Sequence, residues 1–301
     1  VLAVVEEVLA LEPAARELTL DDLAACAEGL TLLVRREAEL FFDAVIRSAD
    51  LGGSIAALRS GRPPVARFIA AYRDLMLRRL YARCTALLYV GQRSLHHYQR
   101  LGARPDQLFF SPYCVDASTF TPGDDSLRRS TRERLGISQD KTVLMFSGKL
   151  SERKGVDLIP AAVNTLPPSI RSQVHLLFLG DGALRESLEA ACAGLSSSFV
   201  GFQNQSALSS FYLAADALLL PSRQLETWGL VVNEAMLHGL PCIVSDRVGS
   251  QPDLVLPGDT GEVCQAGAAE SLAQAITRLL SRIHDDGLAT RCQHLVSTYS
   301  V

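Results

Sequence analysis

The sequence lacks the long apolar runs and the strong net charge that would point to a membrane-spanning or a nucleic-acid-binding protein. No apolar run approaches the roughly eighteen residues that a membrane-spanning helix needs, and the chain starts with acidic residues where a signal peptide carries a basic flank. The formal net charge of −4 argues against a partner bound by phosphate neutralisation. Local phosphate contact stays open at one basic cluster, Arg128, Arg129, Arg132 and Arg134.

Cysteine and histidine occur without the spacing of a disulfide framework or a metal site. The chain has seven cysteines, an odd number without a CxxC pair, and this pattern predicts reduced thiols in a cytoplasmic protein. They are Cys26, Cys84, Cys114, Cys192, Cys242, Cys264 and Cys292. No HxH, HExxH or DxD-like group occurs in a suitable loop, so we expect no bound metal and no cofactor.

Strand and helix patterns alternate through the second half of the chain. The length of 301 residues favours about two domains, which we place at residues 1–120 and 121–301. From residue 141 onward, short apolar runs alternate with helical patterns up to a last amphipathic helix over residues 271–283, and this order predicts a parallel α/β sheet with helices on both faces. The first domain is less complete, and the start at Val1 rather than methionine suggests a piece of a longer protein.

The first domain nevertheless contains recognisable elements. We expect a strand over residues 31–36, a helix over residues 67–83, a strand over residues 86–90 and a helix over residues 92–102. The helix over residues 67–83 is basic and amphipathic, so peripheral contact with an anionic membrane is one interpretation of it. Asp74 and the many apolar positions favour the other interpretation, a core helix.

Two glutamates, Glu226 and Glu234, lie eight positions apart around a predicted strand-to-helix turn. Residues 218–220 predict the end of a buried strand, residues 221–227 a polar loop and residues 229–238 a helix. A carboxylate accepts two hydroxyl groups at once, which suits a sugar or a ribose. A chance pair of glutamates on a solvated helix is the alternative.

The start of that helix is the second feature of this segment. The free backbone N–H groups of Gly229, Leu230 and Val231 open the helix, and such an end attracts phosphate. Two carboxylates on either side of an anion-binding helix start suit a ligand with hydroxyl groups on both sides of a diphosphate. A nucleotide sugar has this chemistry.

The segment resembles the Glu-x7-Glu element of the retaining glycosyltransferases of family 4, which have a GT-B fold of two Rossmann-like domains facing a cleft. The resemblance implies that Glu226 contacts the donor sugar and that Glu234 contacts the ribose. The resemblance also extends to the segment that connects the family's two domains, called the passage here. The residues that match this passage are Pro112, Val115, Asp116, Phe120 and Pro122. Compared with the family, the opening strands of the amino-terminal domain are missing, so that domain is expected to be incomplete.

A basic loop follows the predicted strand that ends at Gly148. Lys149 and Lys154 lie five residues apart, just after the carboxyl end of a predicted parallel strand, which is where such a strand contacts a ligand. A leaving diphosphate needs cations in a transferase without a metal, and burial strengthens that interaction. The family usually has arginine at the first place, so Lys149 keeps the charge but loses bidentate geometry. We interpret Arg153 as a solvated neighbour, and an exposed charged turn is the alternative for the whole loop.

Three further segments carry weaker signals. Gly201 and Phe202 resemble the segment that lies near the nucleobase in the family, although Phe202 is equally expected in a core. Trp228 lies next to the helix start, where it either shapes the sugar pocket or anchors packing. Residues 249–253 depart from the Gly-x-x-Glu-like loop of the family, which leaves its acidic position open.

The resemblance implies a glycosyltransferase that moves a sugar with retention from a UDP- or GDP-sugar to a hydroxyl acceptor, with the donor as substrate rather than cofactor. The acceptor is a sugar, a lipid-linked sugar or a small molecule, and no nucleic acid is involved. Catalysis is assigned to Glu226, Lys149 and Lys154. One alternative is an inactive fragment that binds a nucleotide sugar. Another is a sugar-nucleotide epimerase of the same overall fold, which would lack the pairing of Glu226 with the basic loop.

Overall fold

The computed structural model describes residues 63–119, 124–224 and 226–300. The predicted strand over residues 31–36 and the matched residues Phe120 and Pro122 lie outside these ranges. Contacts divide the chain into two compact units. Of the described residues, the first unit holds 63–89 and 95–109, and the second holds 90–94 and those from 110 onward.

The elements predicted between residues 67 and 102 are present, and most of their residues lie in the first unit. Helix α1 (Pro63–Tyr81) precedes strand β1 (Leu87–Tyr89), helix α2 (Gln92–Arg100) and strand β2 (Leu108–Phe110), and the two strands form a two-stranded sheet. Leu75 and Leu80 on α1 are 45% and 43% exposed. The expectation of a core helix is therefore wrong at these two positions.

The second unit is built on a parallel sheet of six strands, as the alternating pattern predicts. The strands are β3 (Thr142–Ser147), β4 (Val174–Leu179), β5 (Ser197–Gly201), β6 (Ala217–Leu220), β7 (Cys242–Ser245) and β8 (Gly261–Cys264). Their order across the sheet is β5-β4-β3-β6-β7-β8, and every neighbouring pair is parallel. Strands β4 and β6 are buried along their whole length, because helices cover a parallel sheet on both faces.

Helices connect these strands and complete the core. They are α3 (Asp125–Arg134), α4 (Leu158–Thr165), α5 (Pro168–Arg171), α6 (Arg185–Ala191), α7 (Gln205–Ala214), α8 (Leu230–Leu237), α9 (Gln251–Leu254), α10 (Ala269–Leu280) and α11 (Leu288–Val296). Helices α3 and α11 are not among the helices that the sequence pattern predicts. The sequence of α3, DSLRRSTRER, has too few apolar residues to show a helical period. Its start is set by Asp124, whose side chain accepts the backbone N–H groups of Ser126 and Leu127.

Two arginines of the basic cluster on α3, Arg128 and Arg132, pair with Asp216, whereas Arg129 and Arg134 are exposed. Arg132 is 1% exposed, and its Nη2 lies 2.8 Å from Oδ2 of Asp216, while Nη2 of Arg128 lies 2.7 Å from Oδ1 of the same residue. Asp216 Oδ2 also accepts the backbone N–H of Val143 at 2.7 Å, at the start of β3. The interpretation of this cluster as a nucleic-acid contact is therefore wrong for Arg128 and Arg132.

The cysteines of the described ranges are free thiols, six in number. Cys26 lies outside these ranges. Burial raises the pKa of the Cys264 and Cys292 thiols to about 12, so both are held in the unreactive protonated form.

Candidate functional site

The order of the strands creates a switch point between β3 and β6. These two strands are neighbours in the sheet, although β4 and β5 lie between them in the chain. After β3, the chain adds β4 and β5 on one side of it, and then β6, β7 and β8 on its other side. In open α/β sheets, ligands bind outside the carboxyl ends of the strands at such a point. The loop after β3 carries Lys149 and Lys154, and the loop after β6 carries Glu226.

Lys154 and Glu226 form an ion pair at this switch point. Nζ of Lys154 lies 2.5 Å from Oε2 of Glu226, and the two side chains are only 14% and 11% exposed. The hydroxyl of Ser222, a buried residue, donates to the same carboxylate oxygen at 3.0 Å. Charges that are largely withdrawn from water interact more strongly than exposed ones. The structure thus brings together two residues that the sequence analysis selects for separate roles.

The other two cations of the basic loop, Arg153 and Lys149, are more exposed than Lys154. Nη1 of Arg153 lies 4.0 Å from Oε2 of Glu226, and its side chain is 40% exposed. Arg153 is solvated, as expected, and it is also a second cation near this carboxylate. Lys149 is exposed on the loop, directly after Gly148, whose φ of 146° lies in the region that favours glycine.

An arginine and an aspartate that the sequence analysis misses connect the two loops. Arg223 donates from Nη1 to Oδ1 of Asp157 at 2.6 Å and from Nη2 to Oδ2 at 2.7 Å. The hydrogen bonds to Arg223 hold the pKa of Asp157 below its usual value. Asp157 lies between the basic loop and α4, and Arg223 lies between β6 and Glu226. No local pattern signals the pair, since its members are 66 positions apart.

Helix α8 begins beside Glu226. Gly229 has a φ of 92°, and a Cβ atom there would lie 3.0 Å from the Leu220 side chain and 3.5 Å from the Glu226 side chain. The helix therefore starts close to both the strand end and the side chain of Glu226. Leu230 is 42% exposed and Val231 is half-buried, so the first turn of α8 reaches the surface of the site.

Glu234 lies within α8 and has a buried partner. The hydroxyl of Tyr212, a fully buried residue, donates to Oε2 of Glu234 at 2.6 Å. Burial raises the pKa of Glu234 above its usual value. The His238 ring stacks on Tyr212 with centroids 5.0 Å apart, and its Nδ1 pairs with the backbone oxygen of Glu234 at 2.7 Å. The proposed contact between Glu234 and a ribose stays a prediction.

Trp228 is a buried packing residue next to the start of α8. It is 3% exposed, and its ring stacks on Tyr299 at 5.4 Å and meets Tyr113 edge-on at 6.3 Å. Its Nε1 donates to Oδ1 of the buried Asn233 at 2.9 Å. The ring therefore anchors packing, the second of the two interpretations of this residue.

Phe202 lies at the carboxyl end of β5 and is 78% exposed. The alternative of a core residue is therefore wrong, whereas its place near a nucleobase stays a prediction. The preceding Gly201 accepts the backbone N–H of Gly180 at 2.8 Å. A Cβ atom on Gly180 would lie 2.0 Å from the backbone oxygen of Gly148, so the loops after β3, β4 and β5 pack backbone against backbone.

The loop after β7 fixes the main chain around Glu226. Glu226 forms a parallel bridge with Val248, and the N–H of Gly249 donates to the backbone oxygen of Glu226 at 2.9 Å. Asp253, in the segment that departs from the family pattern, accepts the backbone N–H of Gln92 at 3.0 Å and the hydroxyl of Tyr299 at 3.2 Å. These contacts make Asp253 a helix cap and packing residue.

Within residues 63–119, 124–224 and 226–300, no group of three or more His, Cys, Asp or Glu residues is arranged to hold a metal ion. Across the same ranges, none of the helices combines the length and the apolar character required to cross a membrane.

A family model matches the part of the chain that contains this site. Residues 128–292, more than half of the chain, match the model described as glycosyl transferases group 1. The chain belongs to this family. The resemblance to the retaining glycosyltransferases is thereby confirmed at the level of the family, and the match places the chain among glycosyltransferases rather than epimerases.

Two relatives within the curated proteins show how far the likeness extends. The sulfoquinovosyl transferase SQD2 of Arabidopsis thaliana is 32% identical over 177 residues, which is 57% of this chain and 32% of the relative. A D-inositol 3-phosphate glycosyltransferase of Geodermatophilus obscurus is 34% identical over 198 residues, which is 62% of this chain and 42% of the relative. The matched part of this group 1 glycosyltransferase chain thus spans less than half the length of either relative.

A solved structure with the same fold is that of Anabaena HepE in complex with UDP-glucose. The identity is 22%, the TM-score is 0.61, and the likeness covers 75% of this chain and 63% of the other. Together with the parallel sheet, this likeness confirms the GT-B class of α/β fold.

Proposed function

We propose that this chain carries the donor-binding site of a retaining glycosyltransferase that uses a UDP- or GDP-sugar and needs no metal. The observation that carries the proposal is the ion pair of Lys154 with Glu226 at the switch point between β3 and β6. A nucleotide sugar brings a diphosphate and sugar hydroxyls to one place. The pair offers an ammonium for the first and a carboxylate for the second, and the start of α8 adds backbone N–H groups.

In the proposed reaction, the acceptor oxygen attacks the anomeric carbon on the face from which the diphosphate leaves. A bond forms between that oxygen and the anomeric carbon, and the bond from the anomeric carbon to the phosphate oxygen breaks. The acceptor proton passes to the leaving phosphate oxygen. Lys149, Lys154 and the helix start at Gly229 stabilise the departing diphosphate, since preorganised charges act most strongly where charge develops. Glu226 orients the sugar, and Glu234 contacts the ribose.

Donor binding and turnover are separate parts of this proposal. The chain matches 32% and 42% of the length of its two curated relatives, so an inactive fragment that binds a nucleotide sugar is the second candidate. The hydroxyl acceptor, whether a sugar, a lipid-linked sugar or a small molecule, belongs to the turnover part. The UDP-glucose bound to the Anabaena protein supports UDP as the first ligand to test.

The test of the donor site is calorimetric titration with UDP and GDP, alone and as their sugars. We expect one of the two nucleotides to bind and Lys154→Met to weaken that binding about ten- to a hundredfold, because a charge-assisted contact is lost. Lys141→Met is the matched control. Lys141 precedes β3 at the opposite edge of the sheet, so this variant is expected to bind the nucleotide as the unsubstituted chain does.

Turnover is tested by the release of the nucleoside diphosphate from the bound sugar donor. Donor binding with slower release in Glu226→Ala supports a transferase. Donor binding without any release supports the inactive fragment. If neither UDP nor GDP binds, or if Lys154→Met and Lys141→Met bind equally well, the donor site proposed here is wrong.

A further inference from the structure

Arg223 connects the two loops of the site through four hydrogen bonds. Two of them are the parallel contacts from its guanidinium group to the carboxylate of Asp157. Nη1 also donates to the backbone oxygen of Glu152 at 2.8 Å, and the backbone N–H of Arg223 donates to the backbone oxygen of Arg153 at 2.9 Å. The loop after β6 is thereby bound to the basic loop through both side chain and main chain.

The pair of Asp157 and Arg223 lies close in the chain to the ion pair of Lys154 and Glu226. Asp157 follows Lys154 by three positions, and Arg223 precedes Glu226 by three positions. Between them, Gly155 has a φ of 66°, and a Cβ atom there would lie 2.2 Å from the backbone oxygen of Pro221. The two loops therefore touch at their main chains.

We propose that Asp157 and Arg223 are positioning residues that set the distance between the Lys154 ammonium and the Glu226 carboxylate for the donor diphosphate. This inference rests on the proposed function. Parallel hydrogen bonds between a guanidinium and a carboxylate fix orientation as well as distance. The side chains of Arg223 and Asp157 are 27% and 44% exposed, so solvent screens part of their electrostatic attraction.

A double-mutant cycle on the full chain tests this role, with whichever of UDP and GDP the chain binds as the probe. The variants are Asp157→Asn, Lys154→Met and the two combined, and each is measured for its dissociation constant and its unfolding temperature. We expect Asp157→Asn to weaken binding about tenfold where Lys154 is present. Where Lys154 is already methionine, the same substitution should change binding less than about twofold.

Two further variants separate positioning from general stability. Asp157→Glu keeps the carboxylate and is expected to restore part of the lost affinity. Glu189→Gln removes a partner of Arg185 in another exposed ion pair, 2.9 Å apart on α6, and is expected to leave the affinity unchanged.

The outcomes are distinct. Equal losses of affinity in both backgrounds, or no loss in either, overturn the positioning role and leave the donor site intact. If the unsubstituted chain binds neither nucleotide, the proposed function fails and the positioning role fails with it.

Discussion

At the scale of single residues, Glu226 is held in place through its main chain as well as through its side chain. The N–H of Gly249 donates to its backbone oxygen, and the neighbouring Thr227 lies so close that a Cβ atom on Gly249 would be 1.7 Å from the Thr227 oxygen. Only a residue without a side chain permits this approach of the loops after β6 and β7.

Gly249→Ala is therefore expected to separate the two loops and to lower the free energy of unfolding by about 2 to 3 kcal/mol, measured by urea denaturation. Gly258→Ala is the matched control. Its φ of 77° is left-handed, and nothing lies within 4 Å of the added Cβ atom. The control thus reports the backbone cost alone, about 1 kcal/mol. A loss at residue 249 no larger than that at residue 258 would contradict the close contact.

The sequence predicts individual residues of the site better than their contacts. Lys154 and Glu226 are found because each follows a strand end in a recognisable segment. The proximity of Arg153 to Glu226 depends on how two distant loops fold together, and so does the pair of Asp157 and Arg223. Side-chain partners this far apart in the chain leave no local periodic signal.

At the scale of elements, strands β4 and β5 share a buried polar contact. His175 on β4 is 5% exposed. Its Nδ1 pairs with the hydroxyl of Ser196 at 2.8 Å, and its Nε2 pairs with the hydroxyl of Ser198 at 3.1 Å. Burial, followed by the nearby charges of Lys141 and Arg132, lowers the pKa of His175 from 6.5 to about 4.

This shift predicts that stability falls on acidification. Between pH 6.5 and pH 4, the unfolded chain binds a proton at His175 that the folded chain does not bind, so the free energy of unfolding decreases as the pH drops through this window. The expected contribution is about 3 kcal/mol. Urea denaturation across the window should show a shallower decrease for His175→Gln. An equal change in the control, His96→Gln at an exposed histidine of α2, would contradict this origin.

Elements with a strong apolar pattern are the ones that the sequence predicts. Strands β3, β4, β6 and β7 are apolar runs because both of their faces are covered. Helix α3 is missed because its stabilising contacts come from arginines that reach Asp216 across the fold. Tertiary contacts of this kind override local propensity.

At the scale of the whole molecule, every residue proposed to bind the donor lies in the second of the two compact units. A ligand that binds only the folded state stabilises it by mass action, by about 2.7 kcal/mol at a hundred times its dissociation constant. Binding also protects the amide groups that it orders from hydrogen exchange.

We therefore expect the nucleotide that binds to raise the unfolding temperature and to slow hydrogen exchange in residues 148–155 and 226–231. Exchange in β1, in the first unit, is expected to remain unchanged. Hydrogen exchange with and without the nucleotide, followed by mass spectrometry, measures both regions at once. Protection confined to the first unit would place the ligand elsewhere.

The strand order is the global property that the sequence predicts least well. Alternating strands and helices indicate a parallel sheet, but they do not state which strands are neighbours. The adjacency of β3 and β6 brings the two loops of the site together. This adjacency depends on contacts across the whole unit rather than on any one segment.

The close pairing of Lys154 with Glu226 has a consequence for engineering donor specificity. A library that varies only position 226 replaces a carboxylate by neutral side chains and leaves the ammonium of Lys154 without its counter-charge in a largely desolvated place. Most members of such a library would be lost for that reason and not because they reject a new sugar. Positions 154 and 226 therefore form a single unit of design and should be randomised together.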